Sequence, residues 1–108
     1  MKSFEDSLLL DFYGNLLTDK MRTTLDMYLN DDLSLAEIAE EEEISRQGVH
    51  DKVKRGIAQL KDYEEKLGLV RRFIEQKETV KEALNLIDSK EYEQARNVLS
   101  MLSEEIEE

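Results

Sequence analysis

The chain has 108 residues, and 26 acidic against 15 basic side chains leave it with a formal net charge of −11, a length that suits one modest core with little room for an enclosed active site. With no Pro, four Gly and no strand-like alternation of β-branched residues, the composition predicts an all-α fold. The absence of Cys excludes disulfides and thiolate metal sites, and no apolar run reaches the roughly 17 residues of a membrane span or follows a basic amino terminus as in a signal peptide, so cytoplasmic localisation without membrane insertion is expected.

In chain order, Ser3 to Leu17 carries Phe4, Leu8, Leu9, Phe12, Tyr13, Leu16 and Leu17, a broad apolar stripe at helical spacing that reads as core. Thr18 and Asp19 are caps for a helix over about Lys20 to Asn30, with Met21, Leu25, Tyr28 and Leu29 on one face. Asn30, Asp31 and Asp32 form a turn. Ser34 followed by Glu37 is a capping box that opens a short helix with Leu35, Ile38 and Ala39 on its apolar side. Ser45 then caps a helix whose apolar positions are Val49, Val53, Ile57 and Leu60, and whose helical spacing runs on to a stop at Gly68. Two helices joined by about four residues and packed through such faces form a helix-turn-helix.

Beyond Gly68, Leu69, Val70, Phe73, Ile74, Val80, Leu84 and Ile87 trace one more stripe, Asp88 to Lys90 breaks it, and Tyr92, Ala95, Leu99, Leu102 and Ile106 trace the last. The expected organisation is a helix-turn-helix domain over 1–68 and a carboxy-terminal helical hairpin over 69–108. The hairpin needs cover for its stripe, either on the amino-terminal helix or in a homodimer, because apolar patches of that size mark interfaces.

Charge is unevenly placed. Ser45 to Lys61 holds Arg46, Lys52, Lys54, Arg55 and Lys61 against Asp51 alone, whereas Asp31 to Glu43 holds seven carboxylates and no cation. Phosphate binding is opposed by the total charge and favoured by this local basic helix, because salt screens interactions beyond about 8 Å. The candidate nucleic-acid-binding residues are Ser45, Arg46, Gln47, His50, Lys54 and Arg55. Arg46 and Gln47 would reach base edges with His50 one turn on, Lys54 and Arg55 would touch phosphate, and the Ser45 cap would hold another phosphate at the helix start. The plainer reading is a solvated polar face on a helix that only packs.

The stretch from Leu17 to Leu60 resembles region four of sigma-70-type transcription factors. The segments DFYGNLLTD, YLNDDLSLAEIAEEEEISRQGV and KDYEEKL resemble the bacterial YlxM family of small helix-turn-helix proteins over about residues 8–67. This resemblance implies an all-α protein with a regulatory or RNA-related role linked to the signal recognition particle. One position departs from the pattern: Glu43 stands where such turns place Gly. A left-handed residue there costs about 1 kcal/mol when it bears a side chain.

His50 is the only His and has no ligand-spaced Cys or carboxylate pair beside it, so no metal or general-base role is expected. Glu40 to Glu43 point in different directions around a helix and read as a solvated face rather than a cation site. No catalytic signature or phosphate loop is present, and the expectation is a non-enzyme without cofactors. The functional expectation is a helix-turn-helix regulator or accessory factor that binds DNA or structured RNA, with a signal recognition particle component as a further partner. The alternative is an acidic helical adaptor that binds proteins and not nucleic acid.

Overall fold

The computed structural model describes residues 3–107. Among them are six α-helices and no strand: α1 (Phe4–Tyr13), α2 (Asp19–Leu29), α3 (Leu35–Glu42), α4 (Arg46–Leu67), α5 (Leu69–Asp88) and α6 (Tyr92–Glu107), with a 3₁₀ turn at Gly14–Leu16. The chain forms two compact units, one running through Val70 and the other starting at Arg71.

In the first unit each helix begins where a short polar side chain meets the free amides of a first turn. Ser3 Oγ accepts from Asp6 N at 3.0 Å, and Thr18 Oγ1 accepts from Met21 N at 3.2 Å. The capping box forms in full, with Ser34 Oγ accepting from Glu37 N at 3.1 Å and Ser34 N donating to Glu37 Oε1 at 3.0 Å. α4 packs against α1, α2 and α3. The shared core comprises Leu9, Leu10, Tyr13, Leu17, Leu25, Ile38, Ala39, Val49, Val53, Leu60 and Val70.

The expected stripe on α1 is only partly core. Leu9, Leu10 and Tyr13 are buried, while Phe4, Phe12 and Leu16 are 74%, 38% and 55% exposed. At about 100° per residue Phe4 and Phe12 fall off the side defined by Leu9 and Tyr13, and the 3₁₀ turn changes the phase before Leu16.

Gly68, left-handed at φ 65°, ends α4. Tyr13 Oη donates to Glu64 Oε1 at 2.6 Å, that same carboxylate oxygen accepts from Val70 N at 3.0 Å, and Leu69 N donates to Tyr13 Oη at 3.1 Å. A Tyr from α1 and a Glu from α4 therefore satisfy amides in the first turn of α5. Burial, and then the bond to Glu64, push the Tyr13 phenol above its ordinary pKa.

The second unit is an antiparallel hairpin. Arg72, Glu75, Gln76 and Thr79 of α5 line one hollow with Leu102 and Glu105 of α6. Its buried residues are Ala83, Ala95 and Leu102. The turn places Lys90 left-handed at φ 62°, with Glu91 N donating to Leu86 O at 2.8 Å and Lys90 N to Ile87 O at 2.9 Å. Two of these three are alanines, and most of the expected stripe is not buried: Val80, Leu84, Ile87, Leu99 and Ile106 are exposed.

Candidate nucleic-acid interface

The turn between α3 and α4 keeps its left-handed geometry without a glycine. Glu43 adopts φ 58°, ψ 40°, its N–H directed at the Ala39 and Glu40 carbonyls, and Ile44 N donates to Ala39 O at 3.1 Å. Two residues later Ser45 is extended at φ −73°, ψ 158°, and its Oγ accepts from Gly48 N at 2.9 Å. The hydroxyl offered above as a phosphate ligand is thus the helix cap, and the first turn of α4 is fixed before any ligand arrives.

α4 is then seated by its inner side. Val49, Val53, Gly56 and Leu60 are buried. A Cβ on Gly56 would lie 2.7 Å from Met21 Sδ and 2.8 Å from Leu25 Cδ1, so α2 and α4 approach closely at this glycine. A polar clamp adds to the contact: Lys52 Nζ lies 3.2 Å from Glu42 Oε1, and Thr24 Oγ1, fully buried, lies 2.5 Å from Glu42 Oε2. The Lys52 and Glu42 side chains are 20% and 17% exposed, so this basic residue ties α4 to α3 and α2 and adds little to the outer face.

The outer side of α4 carries the remaining polar residues. Gln47 Nε2 donates to Asp51 Oδ1 at 3.0 Å, and His50 Nδ1 lies 3.4 Å from the same oxygen. Asp51 thus sits amid the predicted contact residues. It orients the Gln47 amide, whose remaining oxygen is an acceptor, and it places a negative charge among the phosphate-seeking groups. His50 and Lys54 line a cleft of about 460 Å³ with Lys61. Arg55 is on another flank, lining a hollow with Met21, Ala58, Gln59 and Asp62. Arg46 is exposed in the first turn. The structure therefore brings Gln47, His50 and Lys54 to one side of α4 and separates them from Arg55. The sequence reading did not place Asp51 on this surface, although its spacing of four from Gln47 is a local signal for the bond.

No group of three or more His, Cys, Asp or Glu able to hold a metal ion is found among the described residues, and none of their helices is long and apolar enough to cross a membrane. An α3–turn–α4 pair, seated on α1 and α2 with the outer side of α4 open, defines a helix-turn-helix protein. Residues 1–101 match the family described as "Putative helix-turn-helix protein, YlxM / p13 like", and the chain belongs to that family. It is 57% identical over 88 residues to a UPF0122 protein of Acetivibrio thermocellus, covering 82% of this chain and 75% of the relative. A UPF0122 protein of Bacillus pumilus is 44% identical over 102 residues, 94% of this chain and 93% of its own. One from Desulforamulus reducens is 46% identical over 92 residues, 84% of this chain and 79% of its own.

Proposed function

We propose that the protein acts by binding nucleic acid, DNA or structured RNA, through the outer side of α4 from Ser45 to Arg55. The observation that carries this reading is a capped helix start with Gln47, His50 and Lys54 exposed together, on a helix whose inner side is locked to three others. Such a mounting suits groove or loop contact, because the side chains that touch the ligand need a rigid base. The family resemblance supports, as part of this proposal, a role as a regulator or accessory factor of the signal recognition particle pathway. The test is a salt series on Lys54→Ala, Arg55→Ala. Loss of two phosphate contacts weakens binding across sequences and flattens the slope of log K against log salt by about two. An unchanged slope would remove this side of α4 as the site.

A second reading follows from Asp51 and from the net charge of −11. An acidic body with a carboxylate on its presented helix fits a basic protein surface, such as a particle protein, and binding to that partner without affinity for nucleic acid at any salt would favour it. The exposed Val80, Leu84, Ile87, Leu99 and Ile106 of the hairpin fit a second copy of the chain. Sedimentation across a concentration range tests this, a monomer throughout removing the pairing.

A further inference from the structure

The cleft beside α4 combines chemistry that a groove-reading helix does not need. Its lining includes Asp6, only 7% exposed. The Asp6 backbone N–H is taken by the Ser3 cap, but its carboxylate has no hydrogen-bond or ion-pair partner among the described residues. Neither oxygen is sealed from solvent, and Asp6 is among the residues that line the cleft. Leu35, Val53 and Ile57 give apolar wall, and Tyr28 gives an aromatic ring. At the exposed edge stand Lys54 and Lys61, neither with an ion-pair partner among the described residues, together with His50. A little-exposed carboxylate, apolar and aromatic lining and two exposed cations match a ligand with a donor edge, an apolar body and an anion.

We infer that this cleft receives an unstacked guanine nucleotide, its N1–H and exocyclic amine donating to the Asp6 carboxylate and its phosphate held by Lys54 and Lys61. Guanine alone among the common bases presents two adjacent donors on its Watson–Crick edge, which a carboxylate accepts side by side. Adenine would set a ring-nitrogen acceptor against that carboxylate, and an unpaired polar group in a confined site is costly. About 460 Å³ falls within the usual range of small-ligand pockets, about 300–1,000 Å³. Bases that are splayed out of single strands and loops are recognised in this way, by stacking and by their edges. For the source of the nucleotide the inference rests on the nucleic-acid reading above, with which it shares His50 and Lys54; it narrows that reading to a strand able to turn a guanine outward.

The experiment uses the full chain with single-stranded RNA hexamers, oligo(A) and the same hexamer carrying one G or one xanthosine, and with free GMP, AMP and XMP. The G hexamer should bind at least tenfold tighter than oligo(A). Asp6→Asn should abolish that preference and favour xanthosine, whose edge pairs a donor with an acceptor as the Asn amide does. A gain of xanthosine binding cannot arise from misfolding. Lys61→Ala, outside Ser45–Arg55, should weaken the G hexamer and GMP severalfold. Equal binding of all hexamers, or an unchanged preference in Asp6→Asn, would overturn the inference and leave the α4 interface standing. If no hexamer or other nucleic acid binds, the interface reading falls; GMP binding that switches to XMP in Asp6→Asn then keeps the cleft as a site for the free nucleotide, and no nucleotide binding ends both.

Discussion

Glu43 holds a backbone conformation that most side chains avoid, at φ 58° and ψ 40°, and it does so in the turn that sets the angle between the two motif helices. A side chain in this region costs about 1 kcal/mol through contact of Cβ with the following carbonyl. Glycine removes that strain but adds freedom to the unfolded chain. Glu43→Gly should therefore stabilise the first unit by a few tenths to about 1 kcal/mol, read as a higher denaturation midpoint at unchanged slope. A lower midpoint would mean that the Glu43 side chain has a role that its exposure does not suggest. The position was legible as a conflict between motif and residue. Asp6 and Lys52 were not: each is a charged residue on an otherwise ordinary helical turn, and what distinguishes them is burial in a cleft and a partner ten residues away, both products of tertiary packing.

At the scale of elements, the sequence carries the helix starts and stops well because capping is local. Ser34 with Glu37, Ser45, Thr18 and Gly68 all act within four residues of themselves. Faces are less legible, since a stripe wider than its partner surface does not say which part is used; on α1 the choice fell on Leu9, Leu10 and Tyr13 and left Phe4 in solvent. The α2–α4 contact offers a test of how tightly one face is fitted. Gly56→Ala gains about 1 kcal/mol of helix propensity. Against this, its methyl must displace Met21 Sδ and the fully buried Leu25, and overpacking of that kind costs about 1–3 kcal/mol. A net loss of about 1 kcal/mol in thermal or chemical unfolding is expected. A gain would show that Met21 and Leu25 repack without strain.

For the whole molecule, charge and apolar area pull in different directions. The net charge of −11 opposes self-association and phosphate binding alike, so either would have to rest on a local surface. The cations that α4 exposes once Lys52 is committed inward, Arg46, Lys54, Arg55, Lys61 and the Asp62-paired Lys66, can act only within a screening length, and any binding through them should fall steeply with salt. The apolar residues of the hairpin act by contact, which salt does not weaken, and salt also screens the repulsion between two acidic copies. If α4 binds phosphates and the hairpins pair, raising the ionic strength should weaken the first and not the second, which titrations and sedimentation in a salt series would read.

The clasp of Tyr13 and Glu64 on the amides of Leu69 and Val70 bears on where this chain can be divided. Gly68 resembles a natural place to stop, a left-handed residue between two helices. Val70 beyond it is only 2% exposed, part of the first unit's core. A fragment ending at the glycine would lack that plug and leave a buried phenol and a carboxylate facing no amides. Its collapse would report the missing plug rather than any dependence on the hairpin. The shortest autonomous piece should thus extend past residue 70 and carry the first turn of α5 as part of its own interior.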